Sequence, residues 1–350
     1  MVTVKDVAKH AGVSLATVSR VINGASNVSP PIKEKVQATI KKLGYFPNNA
    51  ARALVRRKAD SIAVLVRNLH APFFTDLIHG IDDGAAEVQR NVIFCSLGRE
   101  QETRDRYIQF LTNGITDAII LYGSLFSDQP VIEHLHEVNF PFLLIENSYQ
   151  AHPVNQILVD NVSGAKNAVE YLIKMGHRRI VHFMGDPNKK VNLDRFNGYM
   201  ETMHAHGLCI GGDYIRNIYQ DYDLAYQAGR DLMKLPASTR PTAIFSSNER
   251  ISARVIMGIQ DAGGSVPGDI SVIGFDKATS YQDIYRGPAI TYISQPLYEI
   301  GRDSIRYLTQ ILDGVEPFPL LKTYDTQLVM GDTVAPPPEE ASCADAADHP

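Results

Sequence analysis

From residue 60 onward the chain repeats one pattern: a short, almost purely apolar run, then a longer segment of helical period. The runs are SIAVLV, VIFCSL, DAIILY, PFLLI, QILVD, RIVHFM, TAIFSS and ISVIGF. A strand that is apolar on both sides must be covered on both sides. The pattern therefore calls for parallel sheets wound by helices on both faces, an α/β architecture of doubly wound sheets. About a dozen such elements exceed one sheet of ordinary width, so two lobes are expected. Ligands of open parallel sheets bind beyond the carboxyl ends of the strands, which places a binding cleft between the lobes.

The first 58 residues are of another kind. They hold eleven basic residues (Lys5, Lys9, Arg20, Lys33, Lys35, Lys41, Lys42, Arg52, Arg56, Arg57 and Lys58) against Asp6 and Glu34, a surplus of nine positive charges. The other residues hold 23 basic and 37 acidic groups, so a cationic head precedes an anionic body and the net charge of -5 hides both. A bias this steep points to a polyanion. Thr3 and Asp6 fit a capping box that starts a helix at Val4, with Val4, Val7, Ala8 and Ala11 on one face. Gly12 closes that helix in a left-handed conformation. Ser14 caps a second helix, Leu15 to about Ile22, which turns Val18, Val21 and Ile22 inward. A third follows Ser29, with Pro30 and Pro31 tolerated in its first turn and Ile32, Val36, Ile40 and Leu43 turned inward.

Two helices across a tight glycine turn, backed by a third, predict an all-α helix-turn-helix head at residues 1–46. Its second helix would enter the major groove. Ser14, Leu15, Ala16, Thr17, Ser19 and Arg20 supply its outer face. Arg20 can read a guanine through two parallel hydrogen bonds, while Leu15 and Ala16 can offer only apolar contact, for example to a thymine methyl. Ser14, Thr17, Ser19 and Asn27 suit phosphates. Thr3, Asn23 and Tyr45 complete the expected DNA-facing set. The competing reading, a helical hairpin on a larger fold, leaves the charge surplus without a purpose.

The stretch VKDVAKHAGVSLATVSRVINGASNVSPPIKEKVQATIKKLGYFPNNAARAL resembles the head of the lactose-repressor/galactose-repressor family of bacterial transcription regulators. The likeness continues less strictly to about residue 330, and Leu15-Ala16 resembles the galactose-repressor branch. The resemblance implies a hinge helix in residues 47–59, from Asn48 to about Val55, too short to persist alone in water. Two copies would meet in the minor groove, with Asn48 capping, Ala51 beside it, and Leu54 wedged between base pairs of an inverted repeat with a central CG step. Burial of Leu54 in its own domain is the alternative. The resemblance further implies two periplasmic-binding-protein-like lobes over 60–333. The first spans about 60–160 plus 291–323, the second about 161–290 plus 324–333, with crossings near Asp160-Asn161, Pro288 to Gln295 and Lys322 to Asp325.

In the cleft, Phe73 and Phe74 of HAPFF can present flat apolar faces to a sugar ring, or equally well pack in the core. Glu146, Asp160, Asn248 and Asp276 end strands, and Arg195 lies in DRFNGYMETM. A guanidinium fork with carboxylate and amide acceptors suits adjacent hydroxyls of a polyol. Arg195, Asn248 and Asp276 match family ligand positions, and Glu146, Gln295 and Tyr222 match less closely. The family pattern is broken after Asn248, where Glu249, Arg250 and Arg254 follow, and Lys277 stands where an acid is common. These cations suggest an anionic sugar, an acid or a phosphate.

No catalytic motif is present: there is no G-x-S-x-G elbow, no Walker loop and no G-x-G-x-x-G. Neither an enzyme nor any cofactor is expected. The pairs His134/His136 and His204/His206 lie at i and i+2 in helical segments, where they point apart, so no metal site is expected. Cys95, Cys209 and Cys343 are far apart with no CxxC spacing, and Cys95 and Cys209 read as buried small hydrophobes. A solute-binding transport protein would share the body but carry an export signal instead of a basic head. With no such signal and no apolar run of membrane length, a cytoplasmic protein without a membrane partner is expected. The segment 334–350, proline-rich and acidic, should be disordered. It lacks the leucine heptads of a tetramer, so a homodimer is expected.

Overall fold

The computed structural model describes residues 2–22, 24–25, 27–45, 58–67, 74–97, 101–123, 125–147, 149–208, 211, 214–219, 221–277, 285–315 and 319–339. By backbone proximity the chain divides into two compact units, Met1–Asp60 with Asn113–Thr116, and the remainder. Asn23, Asn48, Ala51, Leu54, Phe73, Cys209 and Cys343 lie outside the described residues.

In the first unit the helices are α1 (Val4–Ala11), α2 (Leu15–Ile22) and α3 (Pro30–Leu43). Thr3 and Asp6 form the expected capping box, and Gly12 takes a left-handed φ of 63° as its amide bonds back to the end of α1. Val7, Ala8, Ala11, Val18, Val21 and Val36 make the core, with Ile40, Leu43 and Tyr45 packed on it. Ile32 was expected inside but is 37% exposed. It lies one turn before Val36, in a first turn opened by two prolines, where the helix has not yet come down on α1 and α2.

The second unit holds two six-stranded sheets. Its elements begin with β1 (Ser61–Val66), α4 (Thr75–Glu87), β2 (Asn91–Ser96), α5 (Gln101–Thr112), β3 (Ala118–Tyr122), a 3-10 turn at Phe126–Asp128, α6 (Gln129–Glu137), β4 (Phe142–Ile145) and β5 (Gln156–Val159). The chain then crosses at Asp160 into α7 (Asn161–Lys174), β6 (Ile180–Gly185), α8 (Lys190–Ala205), β7 (Ile215–Tyr219), α9 (Tyr222–Met233), β8 (Ala243–Ser246), α10 (Glu249–Asp261), β9 (Ser271–Phe275) and β10 (Thr291–Ser294). It returns through α11 (Leu297–Leu312) and β11 (Leu321–Tyr324), and ends the second sheet with β12 (Gln327–Val329).

The first sheet runs β11-β5-β4-β3-β1-β2, all parallel, and the second β12-β10-β9-β8-β6-β7, parallel except for β12. Every apolar run named above falls on a strand. β1, β3, β4, β6, β8 and β9 are buried along their whole length, as strands covered on both faces must be.

Two expectations need correction. Thr291–Ser294, assigned to the first lobe, pairs with β9 and β12 in the second sheet, so the middle crossing falls after Ser294, at Gln295 and Pro296. Strand β10 alternates buried and half-buried residues, so its sequence lacks the apolar run that marks its neighbours. The segment from residue 334 was expected to be disordered, yet Ala335 is tied down. Its carbonyl accepts from Ser271 Oγ at 3.0 Å and contacts His177 Nε2 at 2.9 Å, and its amide donates to Ser271 Oγ at 3.0 Å. An extended strap without apolar period can be held when side chains satisfy its backbone groups. Residues 340–350 lie outside the described residues.

Each lobe contains a helix pair in backbone contact. Helices α4 and α11 meet at Gly80 and Gly301: a Cβ on Gly80 would stand 2.0 Å from the Tyr298 carbonyl oxygen, and one on Gly301 2.3 Å from that of Leu77. Helices α9 and α10 meet at Gly229 and Gly258 in the same way, with a Gly258 Cβ 2.0 Å from the Tyr226 carbonyl oxygen. Among the described residues no helix is long and apolar enough to cross a membrane. Gly301→Val should lower stability by about 2 kcal/mol or more, because backbone rather than a side chain must yield. Thermal denaturation would detect this as a clear fall in Tm.

Candidate functional site

In the head, the exposed side of α2 is built as its sequence requires. Ser14 caps the helix, its Oγ accepting from the Thr17 amide at 3.1 Å and lying 2.9 Å from Thr17 Oγ1. Val18 and Val21 face the core, so Ser14, Leu15, Ala16, Ser19 and Arg20 face outward and Thr17 is half-buried. Leu15 is 45% exposed, unusual for a leucine in so small a core unless it has a surface to meet. Thr3 and Asn27 are exposed, whereas Tyr45 is half-buried against the core.

In the body, the cleft is organised around one guanidinium. Arg195, on α8 of the second lobe, is 4% exposed. Its Nε donates to Asn161 Oδ1 at 2.9 Å, and its Nη1 donates to the Ser247 carbonyl and stands 3.7 Å from Asp276 Oδ2. The planar group lies 3.6 Å over the Phe275 ring. Asn161 passes the linkage to the first lobe, where its Nδ2 donates to Glu146 Oε2 at 2.9 Å. The other oxygen of Glu146 accepts from the Val159 amide at 2.6 Å. Asp276 accepts from Gln295 Nε2 at 2.7 Å. Glu146 and Asp276 follow β4 and β9, one in each sheet, so the carboxyl ends of the two sheets are brought together through Arg195.

Both carboxylates sit at left-handed backbone positions, φ 54° at Glu146 and 68° at Asp276. Such angles are costly for residues with a Cβ, by roughly 1–3 kcal/mol each, and concentrate at binding sites. Burial pushes Glu146 up to about 7 against the opposing pull of Asn161 and Arg195. Burial and the charge of Asp276 likewise push Glu249 up to about 7. Asp276 is raised by burial despite Arg195. Three acids thus converge on a single guanidinium in a poorly solvated space.

The remaining candidates divide. Asn248 caps α10, its Oδ1 accepting from the Ile251 amide at 3.0 Å. Asp160 is spent as the cap of α7, with Oδ1 on the Ser163 amide at 2.9 Å, and makes none of the bonds of the Arg195 network. Phe74 packs against the first-lobe core and meets Tyr122 edge-to-face at 4.9 Å, so its sequence ambiguity resolves toward packing. Tyr222 lies under Arg250, 5.2 Å from ring centre to guanidinium carbon. Arg254 is paired with Asp223 and covers Tyr226, while Lys277 is exposed. Glu249, noted only as a break in pattern, is buried among the cleft acids. Asn161 and Ser247 went unnoticed, because a small amide after an aspartate and a serine at a strand end are common everywhere. Among the described residues no set of three or more His, Cys, Asp or Glu is arranged to hold a metal ion. Cys95 is free and half-buried.

Two family models match the chain. Residues 3–48 match the "Bacterial regulatory proteins, lacI family" model, and residues 59–326 match "Periplasmic binding proteins and sugar binding domain of LacI family". The chain belongs to the LacI family. It is a transcription regulator with a DNA-binding head and a body of the sugar-binding type, not an enzyme. It is 33% identical over 316 residues to catabolite control protein A of Priestia megaterium, covering 89% of this chain and 93% of that protein. To the transcriptional regulator CelR of Thermobifida fusca it is 31% identical over 346 residues, 95% of this chain and 98% of that one. A solved structure of the Lac repressor dimer, bound to operator and the anti-inducer ONPF, superposes with a TM-score of 0.84 at 26% identity, over 95% of this chain and 99% of that one.

The buried acids set a pH dependence. A carboxyl whose folded pKa is raised holds its proton in the native state after the unfolded chain has lost it, so its contribution to stability declines as pH rises from about 4.5 to about 7. Glu146→Gln, which removes one such proton, should flatten the fall in Tm between pH 5 and pH 8. An unchanged slope would mean that Glu146 does not titrate in this range.

Proposed function

We propose that the LacI-family regulator described here is a cytoplasmic homodimer, acting as a repressor on an inverted-repeat operator with a central CG step, and that a sugar or sugar derivative in the cleft sets its affinity for DNA. In this reading residues 1–46 are the DNA-binding domain, 47–59 the hinge, and 60–333 the effector-binding and dimerisation domain. Thr3, Ser14, Leu15, Ala16, Thr17, Ser19, Arg20, Asn23, Asn27, Tyr45, Asn48, Ala51 and Leu54 contact DNA. Arg195, Asn248, Asp276, Glu146 and Gln295 receive the effector, flanked by Phe73, Phe74, Asp160 and Tyr222.

The observation that carries the reading is the Arg195 linkage, a buried guanidinium joined through Asn161 to Glu146 of the first lobe, at the strand ends where ligands of such sheets bind. A ligand that takes over part of that network changes the relation between the lobes. An effector can shift DNA affinity only by as much as it prefers one such relation over the other. The Lac repressor structure supports the dimer and the operator, since that protein was captured as a dimer with both DNA and a small ligand. An effector favouring the DNA-free arrangement induces, and one favouring the DNA-bound arrangement co-represses.

The test is selection of bound DNA from a random pool, with and without a panel of sugars. An inverted repeat with a central CG step should emerge, with affinity falling steeply with salt. Arg20→Ala should weaken binding to the selected site by roughly tenfold to a hundredfold, the worth of one bidentate guanine contact. Leu54→Ala should abolish the preference for the central step. Recovery of no preferred repeat by the full-length protein would refute the operator reading.

A further inference from the structure

The two ends of the cleft differ in charge. At one end, Glu146, Glu249 and Asp276 share Arg195. At the other, three cations meet. Arg67 follows β1 directly, its carbonyl accepting from Ser96 Oγ at 3.3 Å, and its guanidinium pairs with the buried Asp128. Arg104, on α5, is 5% exposed and stands 3.6 Å from the same aspartate. Lys189 immediately precedes α8 in the second lobe.

Arg67 and Lys189 belong to different lobes but flank one contact between them. Asp128 ends the 3-10 turn whose Phe126 amide donates across the cleft to the Asn188 carbonyl at 3.3 Å, and Lys189 is the next residue. Asp128 is engaged by Arg67, by Arg104 and by the Leu125 amide at 2.8 Å. Asp186 accepts from the amide of Asn188 at 2.9 Å and from its side chain at 3.0 Å. Arg67, on the first lobe, and Lys189, on the second, thus bear like charge on each other beside this contact.

Arg67 Nε is buried without a hydrogen-bond partner, and Lys189 feels the charges of both Arg67 and Arg195. Burial holds the Lys189 amine below its ordinary range. Asp186 and Glu249 pull the other way, while Arg67 and Arg195 add to the depression. Lys189 also stands at the positive end of α8, whose first turn has no side-chain cap. Arg254 is already paired with Asp223 and Lys277 is exposed, so neither supplies these charges.

Resting on the sugar-effector reading above, we propose that the effector is a sugar or polyol carrying a carboxylate or phosphate, with the anionic group held between Arg67 and Lys189 and the hydroxyls at Arg195, Asn248 and Asp276. Without the anion, two like charges face each other across the lobes. With it, one group bridges both by charge-assisted hydrogen bonds, so closure and recognition become the same event. A neutral sugar fills the acidic end and leaves Arg67 and Lys189 with no ligand anion between them.

The test is calorimetric titration of the full-length protein at pH 7.5 with D-gluconate, D-galacturonate and D-glucose 6-phosphate, beside D-glucose, D-galactose and inorganic phosphate. At least one acidic sugar should bind roughly tenfold or more tighter than its neutral parent, the worth of one hydrogen bond to a charged group. Lys189→Met should erase most of that preference, whereas Arg254→Ala, outside the cleft, should keep it. Carboxylate and phosphate are distinguished by which arm binds. Equal binding of neutral and acidic sugars, or a preference that survives Lys189→Met, overturns the proposal while leaving the sugar reading intact. Inorganic phosphate binding as tightly as any sugar acid overturns the sugar half of it. No binding by either class of sugar overturns the sugar-effector reading beneath it.

Discussion

A buried guanidinium is tolerable only when every face of it is answered, and Arg195 meets that demand with groups of its own lobe, one of which, Asn161, also bonds Glu146 of the other. Asn161, the Ser247 carbonyl, Asp276 and the Phe275 ring surround it. Removing one partner of such a set leaves an uncompensated charge, at a cost of about 3–5 kcal/mol in comparable buried pairs. The strained backbone at Glu146 and Asp276, the raised acids and the packing of α8 all follow from keeping this cation where water cannot reach it. A site so expensive in polar groups contributes little to stability that apolar residues could not supply better.

The head has a different economy. Its core is six small apolar side chains, and its positive charge lies along a chain segment with almost no acids to oppose it. Such a module gains most of its affinity from phosphates and comparatively little from base contacts, so affinity for DNA in general comes readily and discrimination does not. In the proposed dimer, discrimination depends on two heads being presented at one spacing, and the cleft is the means of altering that spacing.

The interior of each sheet was legible because strands covered on both faces leave continuous apolar runs. Four strands at or near the edges were not: IRNIY, TYIS, LKTY and QLV carry polar residues at exposed or half-buried positions, and these are β7, β10, β11 and β12. The error at residues 291–294 has the same origin, since nothing in TYIS marks it as a core strand. In the site, a motif match picked out Arg195, Asn248, Asp276 and Glu146, but Asp160 shows the limit of position alone, because its side chain serves a helix cap. Arg67 and Lys189 were invisible, one a lone arginine after an apolar run and the other half of a lysine pair. Only the fold sets them on opposite lobes beside the same contact.

The close helix pairs explain where binding energy must be expressed. With Gly80 and Gly301 in one lobe and Gly229 and Gly258 in the other, backbone packs on backbone, and close-packed interiors of this kind transmit strain rather than absorb it. A ligand can therefore move only the crossings, which fall at Asp160, at Gln295 and Pro296, and between β11 and β12. Two of these crossings hold polar groups next to the site: Asp160 caps the helix whose first residue, Asn161, joins Glu146 to Arg195, and Gln295 bonds Asp276 directly. The Oε1 of Gln295 is buried without a hydrogen-bond partner, an acceptor left over at the hinge itself. In the proposed site a ligand hydroxyl at Asp276 would compete for the Gln295 amide and so act on a crossing without any relay through the lobes. In a molecule with rigid lobes, placing the recognition residues on the crossings is the shortest route from ligand contact to domain motion.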